Sequence, residues 1–364
     1  MTTLSCEDYN DGYYHIGADV EQYPDAVVFI TWSRRGPGKT YSALRYPYGK
    51  FKTLYLKRTN KDVKTICEFS GDLDFDPSPW APLNRDFGLN VKPRLLKDGF
   101  GAFYEADAEG RPTGPVVNYI ASLNAVKTIK GMDLSEAEWI IFDEFIPQAG
   151  EVVKKAEGEM LLDLFETVNR DRRKRGRPGL KLILFANAEE ISTYITNALE
   201  VVDTMAEMQA KGINKFYDPE RGIFMHHITD DELPRSEIEL HDMYRVMKGT
   251  AWAEKSFGGN FSKNDFSAVR QMSMKHMRCL YHLRYRRKND AYIYVSNKTG
   301  CFYMTSRAGD PVQSYDLDRE NQQKKFYYDH VLQLREACIN DRFYFEKYSF
   351  YDLIINYSKF YEIS

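Results

Sequence analysis

The residues best suited to chemistry stand in one run, Ser33-Arg34-Arg35-Gly36-Pro37-Gly38-Lys39-Thr40. The run follows the phosphate-cradling pattern GxxxxGK[ST] at its second glycine, its lysine and its threonine, with Ser33 replacing the first glycine. Backbone N–H groups in such a loop converge on an anion at the start of a helix, where the dipole adds to the attraction. Lys39 is placed to reach the β- and γ-phosphates of ATP, and the Thr40 hydroxyl to ligate Mg²⁺. Ser33 leaves open how tight the first turn of the loop is.

A second run, Trp139-Ile140-Ile141-Phe142-Asp143-Glu144, has four apolar residues and then two carboxylates. At the end of a buried strand the two acids can divide the work. Asp143 would hold Mg²⁺ and Glu144 would polarise the attacking water. Asn187 ends the apolar run LKLILFA, where it serves either as a polar sensor of the γ-phosphate or as an ordinary cap of the following segment.

The densest positive stretch is Arg170–Arg177, and three readings compete for it: a solvated loop, a DNA-facing surface, or the source of an arginine finger for a neighbouring subunit. Lys127 and Lys130 sit in NAVKTIKGMD, either as two exposed lysines or as a loop gripping DNA phosphates. The segment His282–Asn289 mixes cations with aromatics and reads equally as a nucleic-acid surface or an exposed hairpin.

These residues need a scaffold. Ala26–Trp32 is a continuous β-branched and aromatic run, the pattern of a strand buried on both faces, and it feeds directly into the phosphate loop. Thr53–Leu56, Val116–Ser122, Glu138–Phe142 and Leu180–Ala186 read as further strands. Glu157–Val168 has helical spacing. Short apolar strands alternating with helices predict an α/β fold with a parallel sheet. Residues 70–115 look like an excursion with short hairpin strands such as Gly101–Glu105. Residues 192–256 read mostly as helices and loops. Hairpin strands then follow at Tyr281–Arg286, Ala291–Ser296 and Cys301–Thr305, and helices at Arg319–Asn340 and Tyr348–Tyr361.

Bulk properties narrow the class. At 364 residues the chain fits two domains, and 43% apolar residues can fill real cores. A net charge of −3 excludes a globally basic nucleic-acid coat, so any such partner must be met by local patches. The five cysteines are scattered without a CxxC pair, which argues against a disulfide framework and a zinc site. The adjacent pair His226-His227 has no cysteine nearby and no HExxH pattern, so it gives little support for a metal. The N-terminus is polar and acidic where a signal peptide would be apolar. No apolar run approaches the roughly 20 residues that span a bilayer. The expectation is a soluble, intracellular protein.

With these pieces in order the chain resembles the DNA-packaging ATPases of small, short-tailed, protein-primed phages. The matching stretches are SRRGPGKTYSALRYPYGKF, TLYLKR, WIIFDEF, LLDLFETVNRDR and LFANA, in that order; a fainter likeness runs through residues 249–265. The resemblance implies an additional-strand, conserved-glutamate (ASCE) P-loop ATPase domain over 1–196 and a helical linker over 197–257. It also implies a small α+β, ribonuclease-H-like domain over 258–364 that has lost its nuclease acids; Asp290, Asp310, Asp316 and Asp318 read as turn residues. It matches Arg35, Lys39, Thr40 and Asp143 to the family's nucleotide site and departs from the family at Ser33. With the loop reading above, ATP contact is expected at Ser33, Arg34, Arg35, Gly36, Pro37, Gly38, Lys39, Thr40 and Asp143, with Mg²⁺ at Thr40 and Asp143. Catalysis falls to Glu144, Arg170 acting in trans, Lys39 and Asn187, and DNA contact to Lys130, with Lys127 of the same loop expected beside it. The implied partners are double-stranded DNA, the portal of a procapsid, a structural packaging RNA in some relatives, and further copies in a ring, by expectation a pentamer. The implied location is the host cytoplasm, docked on the procapsid. The rival readings are another ASCE translocase or assembly ATPase, and a nucleotide-gated scaffold with little turnover.

Overall fold

The computed structural model describes residues 12–68, 76–129, 131–148, 150–229, 232, 242–247, 249–250, 261, 264–361 and 363. Two compact units emerge, Met1–Leu199 with Glu207–Ser262, and Glu200–Ala206 with Lys263–Ser364.

The first unit is built on one sheet of nine strands: β1 (Val28–Ser33), β2 (Lys52–Lys57), β3 (Val91–Lys97), β4 (Phe100–Ala106), β5 (Pro112–Ser122), β6 (Ala137–Asp143), β7 (Lys181–Asn187), β8 (Lys215–Asp218) and β9 (Ile223–His227). Their spatial order is β3-β4-β5-β2-β6-β7-β1-β9-β8. From β5 to β9 every neighbouring pair is parallel, and antiparallel strands extend both ends. The strand carrying the phosphate loop, β1, is not beside β6, which carries the two acids. β7 is inserted between them, in register Ser33↔Asn187 with β1 and Asp143↔Phe185 with β6. That inserted strand is the defining element of the ASCE arrangement.

The central strands are buried on both faces, as their continuous apolar sequences require. The helices of this unit are α1 (Ile16–Gln22), α2 (Lys39–Arg45), α3 (Asn60–Cys67), α4 (Ala81–Phe87), α5 (Val126–Ile129), α6 (Glu157–Asn169) and α7 (Tyr194–Ala198), and α8 (Val202–Lys211) is divided between the two units. α3 is fixed at its start by a capping box in which Thr59 and Asp62 exchange side chain-to-backbone bonds. In the core, Phe29, Tyr55, Ile141, Ile183 and Phe185 join Trp80 and Phe103 from the excursion.

The stretch expected as helical linker departs from that reading. β8 and β9 lie within 197–257 and extend the main sheet beyond β1. β9, Ile-Phe-Met-His-His, is buried at all five positions, so its histidines stand in a core that their polarity hides from a hydropathy pattern.

The second unit is a small α+β body. Its sheet of five strands, β10 (Met277–Tyr285), β11 (Asn289–Ser296), β12 (Phe302–Thr305), β13 (Gln313–Asp316) and β14 (Phe343–Phe345), has the order β13-β10-β11-β12-β14. The long predicted helix over 319–340 is interrupted: Glu320–Phe326 runs into a wider π turn at Tyr327–Val331 and then Leu332–Ile339. Two of the acids read as turn residues are strand residues. Asp290 lies on β11 and Asp316 ends β13, each paired across the ladder with Arg284 of β10. Among the described residues no helix is long and apolar enough to cross a membrane.

Candidate functional site

In a parallel sheet the carboxyl ends of all strands meet one edge, and the loops there form the crevice. β1, β2, β6 and β7 deliver Ser33, Lys57, Asp143 and Asn187 to that edge. A cleft of about 460 Å³ opens there, lined by Arg35–Tyr41 from the loop and α2, by Asp143 and Glu144, by Ala186 and Asn187, and by Ser78, Pro79 and Pro82.

The loop turns through two left-handed glycines, Gly36 at φ +91° and Gly38 at φ +90°. A side chain at Gly38 would also meet Tyr13, 3.2 Å from an added Cβ. Two further contacts brace the loop: the Tyr14 N–H donates to the Pro37 carbonyl at 2.8 Å, and Arg35 donates to Gln148 Oε1 at 3.2 Å.

Ser33 answers the question its sequence raised. It is fully buried at the end of β1, and its hydroxyl donates to the Arg34 carbonyl at 2.7 Å while accepting from Lys39 Nζ at 2.5 Å. Lys39 also reaches the Arg34 carbonyl at 3.2 Å and Asn187 Oδ1 at 3.4 Å. The ammonium is therefore held in place by neutral oxygens. Burial lowers its pKa to about 8, against an opposing pull from Asp143 and Glu144.

Thr40 Oγ1 donates to Asp143 Oδ2 at 2.7 Å, and the buried Tyr55 hydroxyl donates to the same oxygen at 3.0 Å. Burial, with Asp143 beside it, drives the Tyr55 pKa well up, so the phenol keeps its proton to donate. Glu144 adopts φ +59°, a conformation disfavoured for a side chain with a Cβ. Its carboxylate accepts from Gln148 Nε2 at 3.3 Å and faces Lys57 Nζ at 3.7 Å.

Sequence reasoning gave no role to Arg58, yet this side chain is nearly buried and makes four bonds. It reaches Glu157 at 2.6 Å, Glu151 at 2.9 Å and the carbonyls of Glu144 and Phe145 at 3.3 and 2.6 Å. Burial raises the Glu157 pKa, with Arg58 opposing. The available signal was position: TLYLKR ends in two cations, and β2 is the parallel neighbour of β6.

The basic run divides. Arg170 follows the end of α6, is exposed, and does not line the cleft of its own chain. Arg172, two residues on, is 1% exposed and donates to the carbonyls of Ser135, Ala137 and Pro178. It clamps the start of β6, so the run is not uniformly a solvated loop. Lys127 lies in α5, Lys130 lies outside the described residues, and so does most of 249–265. His226 bonds Asp19 at 2.6 Å and Glu232 at 2.7 Å, and His227 stacks on Trp32.

Fold and cleft together define a two-unit chain whose first unit is an ASCE-type P-loop ATPase fold, with a separate α+β unit after it. No protein-family model matches the chain, and no curated protein matches it in sequence. Solved structures do match it in fold. One is described as the bacteriophage Phi-29 viral genome packaging motor assembly, 17% identical with a TM-score of 0.64, covering 96% of this chain and 100% of that one. Another is described as the Phi-28 gp11 DNA packaging motor, 15% identical with a TM-score of 0.59, covering 97% and 98%. The chain has the fold of these phage DNA-packaging motor chains across nearly its whole length.

Proposed function

We propose that this chain is the ATPase subunit of a viral genome-packaging motor, a ring that couples ATP hydrolysis to translocation of double-stranded DNA into a procapsid. The observation that carries the reading is the hydrogen bond between Thr40 and Asp143, both in the lining of the cleft. It joins a phosphate-loop hydroxyl to a strand-end carboxylate within a fold matched by packaging motors.

Two hard oxygen donors side by side fit Mg²⁺, which Thr40 and Asp143 would hold. When bound, the ion would offset charge on the phosphates. The phosphate loop and Lys39 bind and orient the triphosphate. Glu144 orients and polarises the attacking water, and Asn187, beside Lys39, senses the γ-phosphate. Arg170, exposed outside its own cleft, serves the cleft of the next subunit, which makes a ring, by expectation a pentamer, the working unit. Lys127 and Lys130 contact DNA, and the motor docks on the portal in the host cytoplasm, with a packaging RNA where one exists. The division of labour follows the expected domains, with the hairpin β8–β9 counted in the ATPase unit. Arg284 between Asp290 and Asp316, and a β10 strand without acids, favour a C-terminal unit with no nuclease role.

The test is ATP turnover by the full chain with and without double-stranded DNA in the presence of procapsids. Turnover that rises with DNA and vanishes in Glu144→Gln is the expected result. DNA-indifferent turnover points to another ASCE assembly ATPase, and binding without turnover to a nucleotide-gated scaffold.

A further inference from the structure

The cleft has more lining than a triphosphate and its metal require. On the ATP reading, Asp143, Glu144 and Asn187 of that lining serve the metal and the attacking water, and the loop with Lys39 serves the phosphates. Because the lysine serves the β- and γ-phosphates and the loop backbone the α and β, the nucleoside must rest on lining that these groups do not use. The lining left for it is Tyr41, directly after Thr40, with Ser78, Pro79 and Pro82. These last three belong to the 70–115 excursion, which the sequence left without a role.

We propose that residues 78–82 of this excursion form, with Tyr41, the nucleoside half of the site, Tyr41, Pro79 and Pro82 gripping a purine base by its faces; the proposal rests on the ATP reading above. The chemistry of the wall fits a flat heteroaromatic ring. Two pyrrolidine rings and a phenol ring offer broad apolar faces and no formal charge, the kind of surface that takes a base whatever its edge pattern. At about 460 Å³ the cleft lies within the roughly 300–1,000 Å³ that encloses a drug-sized ligand.

The wall is also held rigid. Trp80, between the two prolines, is fully buried against Tyr48 and Phe103. The Trp80 backbone N–H donates to Ser78 Oγ at 3.1 Å, and the Ser78 backbone N–H donates to Asp76, itself paired with Lys92 at 3.1 Å. From the other side, the Tyr41 hydroxyl donates to Asp86 of α4 at 3.0 Å, and the Arg45 guanidinium lies 5.1 Å over the Phe87 ring. The prolines fix their own φ, so little further ordering is lost when a base docks.

Calorimetric titration of the full chain with ATP, CTP and inorganic tripolyphosphate tests this. In Tyr41→Ala and in Pro79→Ala/Pro82→Ala, ATP should bind about tenfold more weakly, the scale of one lost base stack. Tripolyphosphate should bind as to the wild type, which also reports a folded loop, and the preference for ATP over CTP should narrow. Tyr41→Phe, which keeps the ring and loses Asp86, should fall between. Equal weakening of ATP and tripolyphosphate, or no weakening of either, would overturn the wall as a base site. A wild type that binds neither ATP nor tripolyphosphate would instead remove the nucleotide reading on which the proposal stands.

Discussion

Thr40 and Asp143 lie 103 residues apart in the chain, yet the threonine hydroxyl donates to the carboxylate at 2.7 Å, with Tyr55 donating to the same oxygen. If these two side chains hold the metal, Asp143→Asn should abolish the gain in ATP affinity that Mg²⁺ gives while leaving metal-free ATP binding nearly unchanged. Titrations with ATP, with and without Mg²⁺, measure both. Equal losses in the two conditions would mean that Asp143 supports the loop and not the ion.

Lys39 sets a pH limit on binding. Its pKa in the free protein is about 8 because burial disfavours the charged form, and a phosphate needs the charged form. Well below pH 8 the lysine is already protonated and adds no pH dependence of its own; above it, binding must first take up a proton. ATP affinity should fall by up to about tenfold per pH unit beyond 8. Repeating the titration in buffers of different ionisation enthalpy should reveal the proton uptake at pH 9 and none at pH 7.

Arg58 is tied to two carboxylates and to the backbone on either side of the Glu144–Phe145 peptide. Arg58→Ala strands the buried Glu157, and breaking a buried pair from one side costs about 3–5 kcal/mol. Chemical denaturation should show a loss on that scale. Arg58→Lys keeps the charge but not the fork, so it should recover part of the stability yet leave kcat low, because the strained Glu144 loses its backbone anchor. Full recovery of kcat in the lysine variant would limit Arg58 to a structural role.

Arg170 and Glu144 should complement each other across subunits. Arg170→Ala is expected to bind ATP normally and lose turnover by about 10³–10⁵, the usual contribution of such an arginine. Mixing it with Glu144→Gln subunits should restore some hydrolysis, since some interfaces then pair an intact glutamate with an intact arginine. Mixed rings as inactive as the parents would argue that the arginine acts in cis.

His226 links stability to pH. Hydrogen bonds donated to Asp19 and Glu232 raise its pKa against burial, and the same partnership, with Lys215, lowers that of Asp19. The His226 contribution is complete below the unfolded value near 6.5 and is lost as pH rises through the raised folded value. The Asp19 contribution is present above about 3.9 and is lost as pH falls through its lowered value. Urea midpoints should therefore peak between about pH 4 and 6.5 and decline on the alkaline side. His226→Gln should flatten the alkaline decline.

Much of the site was legible because its residues are local in sequence. A phosphate loop is a single run whose glycines, lysine and hydroxyl act at fixed offsets, and Asp143-Glu144 is marked by the apolar strand before it. The central strands were legible for the same reason: burial on both faces writes itself as a continuous apolar run, and β1, β6 and β7 start or end within two residues of expectation. β9 escaped because two of its five buried residues are histidines, and β14 because a three-residue strand carries no period.

The sequence alone determined the phosphate loop, the pair of acids and the alternation of strands and helices, since each depends on neighbours along the chain. Only the tertiary structure decided which strands stand side by side. That ordering puts β7 between β1 and β6, turns Ser33 into a partner of Lys39, and makes Arg58 the anchor of the Glu144 loop. It also converts an unassigned excursion into one wall of the cleft. Apart from the local Ser33–Lys39 pair, these relations link residues tens to more than a hundred positions apart. Side-chain chemistry permits them, but only the packing of the parallel sheet, with all its carboxyl ends at one edge, selects them.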